Sequence, residues 1–225
     1  MLITSESLLG PNPPTSAYLE AYRILRSEFL ILQEREEFRI VLVTSPWHQE
    51  GKSTVVLNLG TMLALVERHT IVVDGDFYGG GIGEILGISG SPGLTDLCLH
   101  DIAVAETVIE TELSALRVVP AGTEADRGPD LTQGASMEQA LRKIGQQAQF
   151  VLCDSTPISG FGATVALARM VDMVLLVSLA GSRVEDVQRC LASLKEAGGR
   201  IGGIIVNDEL PGESIVYRSY HEYHR

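Results

Sequence analysis

The sequence predicts an α/β protein, with a three-layer α/β/α arrangement around a mostly parallel central sheet. Short apolar runs recur along the chain, amphipathic segments separate them, and the first run leads directly into a turn and a helix. Continuously apolar strands are typical of parallel sheets, because helices cover both faces of such sheets. Right-handed crossovers then wind the alternating strands and helices into an open sandwich.

The first predicted element is a helix that begins near Ser16. One helical stripe is formed by apolar and aromatic residues at alternating steps of four and three. These residues are Tyr18, Tyr22, Leu25, Phe29 and Leu32. Glu20, Arg23 and Arg26 fall largely away from that stripe. A charged row of this kind is usually a solvated helix face.

Six apolar runs after this helix are predicted as strands, with helices between them. The strands are expected at residues 39–44, 70–74, 116–120, 150–154, 173–179 and 201–207. Ser136 with Gln139, and Ser182 with Glu185, fit the capping box that begins a helix. Each pair therefore predicts a helix start.

The 225 residues are 45% hydrophobic, which suits one large core better than two. We expect a loose leader over residues 1–14, one domain over 15–210, and a polar tail over 211–225. The formal net charge of -12 disfavours binding to nucleic acid or to an anionic membrane.

No run approaches the roughly 18 apolar residues of a spanning helix, and the N-terminus does not resemble a signal peptide. The sequence therefore predicts a soluble, cytoplasmic protein. Cys98, Cys153 and Cys190 are widely spaced, which argues against a disulfide framework or a zinc cluster. We interpret them as small apolar side chains.

A phosphate-binding motif follows the first strand, where a loop leads into a helix that opens with Gly51-Lys52-Ser53-Thr54. In this arrangement backbone N–H groups and the helix dipole face the phosphates. Lys52 neutralises the β- and γ-phosphates, and the Ser53 hydroxyl ligates Mg²⁺. The motif predicts an ATP and Mg²⁺ site of the P-loop type, with nucleotide contacts from Glu50 through Thr54.

Polar side chains end three other predicted strands. Asp74 ends the second strand and Asp76 lies two residues after it, and Asp154 ends the fourth. Ligands bind at this edge in open α/β sheets, and a carboxylate there holds a Mg²⁺ water or accepts a proton. An aspartate in this position is also often only a cap. Asn207 ends the last strand, and its amide is expected either to bind a purine edge or to form a turn.

Taken together, these residues resemble the bacterial protein-tyrosine kinases of capsule and exopolysaccharide synthesis, a branch of the P-loop ATPases related to MinD and ParA. The resemblance extends over nearly the whole chain. The matching motifs are Thr44-Ser45, Gly51-Lys52-Ser53-Thr54, Asn58-Leu59, Val73-Asp74-Gly75-Asp76 and Asp154-Ser155-Thr156-Pro157.

The resemblance implies an ATP-dependent protein-tyrosine autokinase. Lys52 and Mg²⁺ would stabilise the phosphates, and Asp74 would take the tyrosine proton. Ser53 with Asp76 or Asp154 would hold the metal.

The resemblance also implies assembly into a ring. Glu20, Arg23 and Arg26 are similar to the motif through which these kinases pack together. Each subunit would phosphorylate the tail of its neighbour, at Tyr217, Tyr220 and Tyr223. A short amphipathic helix docking on the body is the alternative interpretation of that tail. The family further implies a membrane partner of the chain-length-regulator type, which would recruit the kinase to the inner face of the membrane.

Several positions differ from the family pattern and support a second hypothesis, an ATP-binding regulatory subunit without useful catalysis. Pro46 replaces the first P-loop glycine, His48 and Gln49 stand where Pro-Gly is usual, and Tyr78 stands where an arginine is usual. The stretches Phe161-Gly162-Ala163 and 126–131 also differ. A third hypothesis is a MinD- or ParA-like positioning ATPase, which Trp47 disfavours because it replaces the signature lysine of those proteins.

Overall fold

The computed structural model describes residues 16–79, 81–160 and 162–207. The strands in these ranges are β1 (Ile40–Thr44), β2 (Thr70–Val73), β3 (Ile109–Glu110), β4 (Leu116–Val119), β5 (Phe150–Asp154), β6 (Met173–Leu179) and β7 (Ile201–Asn207). They form one sheet in the order β3-β4-β2-β5-β1-β6-β7. Every neighbouring pair is parallel except β3 with β4. The predicted α/β class with a mostly parallel sheet is confirmed.

Helices connect these strands on both sides of the sheet. They are α1 (Ser16–Glu36), α2 (Lys52–Ala64), α3 (Ile82–Leu86), α4 (Leu94–Leu99), α5 (Gly128–Leu131), α6 (Ala135–Gly145), α7 (Gly162–Ala168) and α8 (Val184–Glu196). Short 3-10 turns cover Val104–Glu106 and Ala125–Arg127. Within the described ranges, none of these helices combines the length and apolar character needed to cross a bilayer.

All six predicted strands are present, with bounds that differ from the prediction by at most one residue at either end. Strand β3 was not predicted. It has only two residues, of which Glu110 is exposed, and it pairs antiparallel with β4 through Ile109 and Val118. Two residues are too few to show a hydrophobic period, so this edge strand leaves no signal in the sequence.

Two apolar layers cover the sheet, one on each face. The first joins the strands to α1 and α2, where Phe29 and Leu63 are buried. The second joins them to α4, α6, α7 and α8 and includes Met137 and Leu194. Strands β1, β2 and β5 are fully buried, as expected where helices cover both faces. The three layers that the sequence predicts are therefore observed.

The predicted stripe of α1 faces the first apolar layer. Tyr22 and Phe29 are buried, and Leu25 and Leu32 pack against the core. The hydroxyl of Tyr18 accepts a hydrogen bond of 2.6 Å from Asn58 Nδ2, which joins α1 to α2.

Both predicted capping boxes are wrong. Helix α6 begins at Ala135 after Gly134, so Ser136 already lies in its first turn. Helix α8 begins at Val184 after Arg183. Ser182 does not cap this helix. Its hydroxyl instead donates a hydrogen bond of 3.2 Å to the buried carboxylate of Glu50, in the loop between β1 and α2.

Other sequence predictions concern the cysteines and the chain ends. Cys153 and Cys190 are buried and Cys98 is half-buried, and all three are free thiols. The leader over residues 1–14, the side chain of Phe161 and the three tail tyrosines lie outside the described residues.

Candidate nucleotide-binding site

The loop between β1 and α2 forms a tight turn despite its lack of glycine at the start. Gln49 and Gly51 both adopt left-handed backbone angles, with φ of 61° and 86°. This conformation is unusual for a residue that carries a Cβ, so the loop is locally strained at Gln49. Ser45 Oγ donates a hydrogen bond of 2.6 Å to the Trp47 carbonyl, which closes the first half of the turn.

Asn207, at the end of β7, holds the second half of this loop. Its Nδ2 donates to the Glu50 carbonyl at 3.0 Å. A Cβ on Gly51 would lie 2.2 Å from the same nitrogen, so the close approach requires glycine. The amide nitrogen is thus bonded to the loop, and contact of Asn207 with a purine stays a prediction.

The Glu50 side chain braces the loop from inside the protein. It is buried, and its carboxylate accepts hydrogen bonds from Trp47 N–H at 2.8 Å, Ser182 Oγ at 3.2 Å and Leu179 N–H at 3.4 Å. The sequence indicated Glu50 only as a nucleotide contact. Its bracing role was missed because Leu179 and Ser182 are far away along the chain.

Replacing Glu50 with alanine should destabilise the protein and loosen the loop. The change removes the acceptor of two partly buried backbone donors, at Trp47 and Leu179, and a donor left unsatisfied inside the protein costs about 1–3 kcal/mol. We expect the free energy of unfolding to fall by about that amount, measured by urea denaturation. Glu50→Gln is the matched control, because its amide oxygen still accepts one of these bonds. Equal stability of wild type and Glu50→Ala would contradict the bracing role.

Lys52 and Ser53 begin α2 and point towards the acidic strand ends. Lys52 is buried. Burial raises the pKa of both Asp76 and Asp154, and the positive charge of Lys52 partly opposes that rise. Ser53 Oγ donates a hydrogen bond of 2.5 Å to Asp154 Oδ2. Thr54, the next residue of the motif, is exposed. The structure therefore brings the lysine, the serine and the acid at the end of β5 together, as the sequence predicts.

Asp154 carries an unused acceptor in this site. The residue is fully buried, and its Oδ1 has no hydrogen-bond partner among the described residues. Burial first, and then the negative charge of Asp74, raises the pKa of Asp154 to about 7. A buried carboxylate oxygen without a partner fits a Mg²⁺ ion or one of its water ligands.

Asp74 and Asp76 complete the acidic cluster. Asp74 accepts hydrogen bonds from the N–H groups of Gly83 at 2.7 Å and Asp76 at 3.1 Å, and burial raises its pKa to about 6. Burial also raises the pKa of Asp76, which accepts a bond from Tyr78 N–H at 3.2 Å. The three acids of the site lie at neighbouring strand ends, as the sequence predicts.

A glycine lets the two acidic strand ends meet. Gly75 N–H donates to the Asp154 carbonyl at 3.1 Å, and a Cβ on Gly75 would lie 2.6 Å from the same oxygen. A larger residue would push the turn that carries Asp74 and Asp76 away from β5.

The donor set fits Mg²⁺ bound together with nucleotide phosphates. Across the described residues, no group of three or more His, Cys, Asp or Glu side chains is arranged to hold an ion alone. Mg²⁺ typically takes one or two carboxylates and fills its remaining positions with water and phosphate oxygens. Ser53, Asp76 and Asp154 meet this requirement once a nucleotide supplies the other ligands.

A cavity of about 360 Å³ lies beside the acids. Its lining includes Asp74, Asp76, Phe77, Tyr78, Ser89 and Gly122, but neither Lys52 nor Ser53. The site thus has two parts. One is the loop that leads into α2, and the other is an open cavity beside it, lined by Asp74 and Asp76.

The predicted oligomer residues lie on α1, away from this cluster in the sequence, and have partners within the chain. Arg23 and Glu20 form an exposed ion pair of 3.0 Å. Arg26 Nη1 donates a bond of 3.4 Å to the Met62 carbonyl. Their contact with another subunit stays a prediction.

Among protein families, no model matches the chain. It is 24% identical over 205 residues to the putative tyrosine-protein kinase CapB of Staphylococcus aureus, covering 91% of this chain and 90% of the relative. It is 26% identical over 174 residues to the tyrosine-protein kinase CpsD of Streptococcus agalactiae, covering 76% of this chain and 75% of the relative. It spans only 28% of the length of the tyrosine-protein kinase wzc of Salmonella typhi.

Solved structures show the same relationship. The kinase domain of the Escherichia coli tyrosine kinase ETK has a TM-score of 0.84 at 22% identity, covering 95% of this chain and 84% of that one. The VpsO kinase domain has a TM-score of 0.75 at 28% identity, covering 85% of this chain and 96% of that one. The predicted resemblance is thus confirmed, and in both sequence and fold this chain is a homologue of the bacterial tyrosine-protein kinases.

Proposed function

We propose that the protein is an ATP-dependent protein-tyrosine autokinase that regulates capsule or exopolysaccharide synthesis. One observation carries the proposal: Lys52 and Ser53 meet a buried carboxylate, Asp154, which has an unpartnered oxygen. This arrangement suits a magnesium-bound triphosphate. The likeness to CapB, which extends over 90% of that relative, supports the kinase activity.

The residues of the phosphate loop bind and orient ATP. Lys52 neutralises the β- and γ-phosphates at the positive end of α2. Ser53 and Asp154, with Asp76, would hold Mg²⁺, which neutralises phosphate charge when it is bound. A solved cobyrinic acid a,c-diamide synthase with a TM-score of 0.59 contains a bound ATP analog and magnesium, which supports this choice of cofactors.

Asp74 acts as the base for the acceptor. Its carboxylate is fixed by the N–H groups of Gly83 and Asp76, and its pKa of about 6 leaves it largely ionised at pH 7 yet able to take a proton. The tyrosine oxygen attacks the γ-phosphorus as the bond to the β-phosphate oxygen breaks. ADP leaves, and the phenolic proton passes to Asp74.

The cavity beside Asp74 is where the acceptor side chain would enter. Phe77 and Tyr78 line it, and their rings suit contact with a phenol ring. Tyr217, Tyr220 and Tyr223 are the proposed acceptors, contributed by a neighbouring subunit of a ring. A membrane protein of the chain-length-regulator type would recruit this ring to the inner face of the cell membrane and activate it.

The test is phosphotyrosine formation by the purified full chain with Mg-ATP. We expect wild-type protein to acquire phosphate on the tail, identified by mass spectrometry of tail peptides. Asp74→Asn should nearly abolish the signal because the base is lost. The combined replacement of Tyr217, Tyr220 and Tyr223 by phenylalanine should also remove it, while ATP binding persists. Phosphate that appears only outside the tail would refute the proposed acceptors.

A regulatory subunit that binds ATP without useful catalysis is the second candidate. The backbone of Gln49 favours it, because a left-handed angle at a non-glycine residue of the phosphate loop is costly. Calorimetric binding of Mg-ATP, with no phosphotyrosine even beside a membrane activator, would support this candidate. ATP hydrolysis stimulated by DNA or lipid would instead indicate a positioning ATPase.

A further inference from the structure

The Phe77 ring packs directly on the backbone of Gly128. Phe77 is buried and follows Asp76 in the chain, and Gly128 is the first residue of α5. A Cβ on Gly128 would lie 2.2 Å from Phe77 Cγ and Cδ1, and 2.7 Å from Cδ2. The ring thus occupies the space that any larger residue at position 128 would need.

The left-handed backbone angles that usually require glycine are absent at Gly128. Gly128 has φ of -51° and ψ of -47°, which are ordinary right-handed helical angles. A following proline disfavours these angles in a residue that carries a Cβ, so Pro129 is one reason for glycine at position 128. The ring of Phe77 is a second and independent reason, because it fills the space that a Cβ would need.

The same ring anchors the turn that carries the second acidic motif. The turn is otherwise held by polar contacts, namely Gly83 N–H to Asp74 and Gly75 N–H to the Asp154 carbonyl. Within the described residues, the one hydrogen bond given for the Asp76 carboxylate comes from the nearby Tyr78 N–H. The position of the Asp76 carboxylate therefore depends on the backbone of this turn, and the contact between the Phe77 ring and Gly128 fixes that backbone.

We propose that Phe77 and Gly128 are positioning residues, which hold Asp76 close enough to Lys52 and Asp154 for metal-dependent nucleotide binding. This inference rests on the proposed nucleotide site. Neither residue would touch the nucleotide. Their effect is transmitted through the turn that joins the Phe77 ring to Asp76.

Displacement of the Phe77 ring should weaken only the contribution of Mg²⁺ to nucleotide binding. The phosphate loop is braced separately, through the Glu50 carboxylate and the Asn207 amide. Displacing the Phe77 ring should therefore leave metal-free ADP binding unchanged. It should reduce the gain in ADP affinity that Mg²⁺ produces.

The experiment measures ADP binding to the full chain by calorimetry, with and without Mg²⁺. We expect Gly128→Ala to reduce the Mg²⁺-dependent gain in affinity by about 10- to 100-fold, the usual effect of losing a group that orients a metal ligand. Gly134→Ala is the matched control. Gly134 lies nearby in the chain with φ of -103°, and its Cβ would have no neighbour closer than 3.6 Å.

A double-mutant cycle separates the ring contact from general damage. Phe77→Ala should itself reduce the Mg²⁺-dependent gain, and adding Gly128→Ala to it should cause no further loss, because the colliding ring is absent. If Gly128→Ala alone does not fold by circular dichroism, Phe77→Ala and the double variant still decide the question.

Three results would overturn the inference: an undiminished Mg²⁺ effect in Gly128→Ala, an undiminished effect in Phe77→Ala, or an equal loss from Gly128→Ala in both backgrounds. A wild-type protein that binds no Mg-nucleotide would instead refute the proposed function itself.

Discussion

Replacing Lys52 with methionine should reduce the initial rate of tyrosine phosphorylation by about 100- to 1,000-fold, the usual effect of losing one group that stabilises transition-state charge. Methionine keeps an apolar stem of similar length in a buried position and removes only the cation. Burial raises the pKa of Asp76 and Asp154, and the variant would lose the positive charge that partly opposes this rise. The affinity for Mg-ATP should fall together with the rate.

The rate is best measured by quantitative mass spectrometry of tail peptides at saturating Mg-ATP. Lys143→Met is the matched control, because Lys143 is an exposed lysine on α6. A Lys52→Met variant that keeps more than about a tenth of the wild-type rate would contradict the role of the lysine, given the size expected for such a group.

The second large effect is the pH dependence of the metal-free protein, which Asp154 should dominate. In the unfolded chain its pKa returns to the ordinary value of 3.8, whereas burial raises it to about 7 in the folded chain. Between these values the folded state binds more protons than the unfolded state, so stability falls as pH rises. Asp74, with a pKa of about 6, acts in the same direction. We expect Asp154 alone to account for a loss on the order of 3 kcal/mol between about pH 4 and pH 7, to which Asp74 adds.

Asp154→Asn should flatten this dependence. Asparagine keeps an oxygen that accepts the Ser53 hydrogen bond but carries no charge. The metal-free variant should be more stable than wild type at pH 8, measured by scanning calorimetry, while its binding of Mg-ATP is lost. Asp101→Asn changes an exposed acid and should alter neither property. The same slope of stability against pH in wild type and Asp154→Asn would show that this carboxylate is not the group that titrates.

The sequence predicts the sheet well, because its strands are apolar runs buried on both faces. Asp74 and Asp154 could be placed together from sequence, since the carboxyl ends of parallel strands meet at one edge. The partners of Glu50 could not be predicted, because Leu179 and Ser182 reach it only through the folded sheet. The capping box predicted at Ser182 failed for the same reason, since its hydroxyl donates to Glu50 instead.

The contact of Phe77 with Gly128 also left no local signal. A glycine before Pro129 suggests only a turn, and a phenylalanine after an acidic motif suggests only burial. What joins them is the approach of α5 to the turn after β2, a tertiary contact with no sequence period.

The ion pair between Glu20 and Arg23 has a consequence for how subunits would associate. The two charges already neutralise each other on the surface of α1. An ion pair with a neighbouring subunit would only replace this exposed pair, so electrostatic attraction would add little to the free energy of association. Ile24 and Ile31 on the same helix are both 42% exposed, and covering them would release water from apolar surface. A ring built through this helix should therefore tolerate high ionic strength and weaken on cooling.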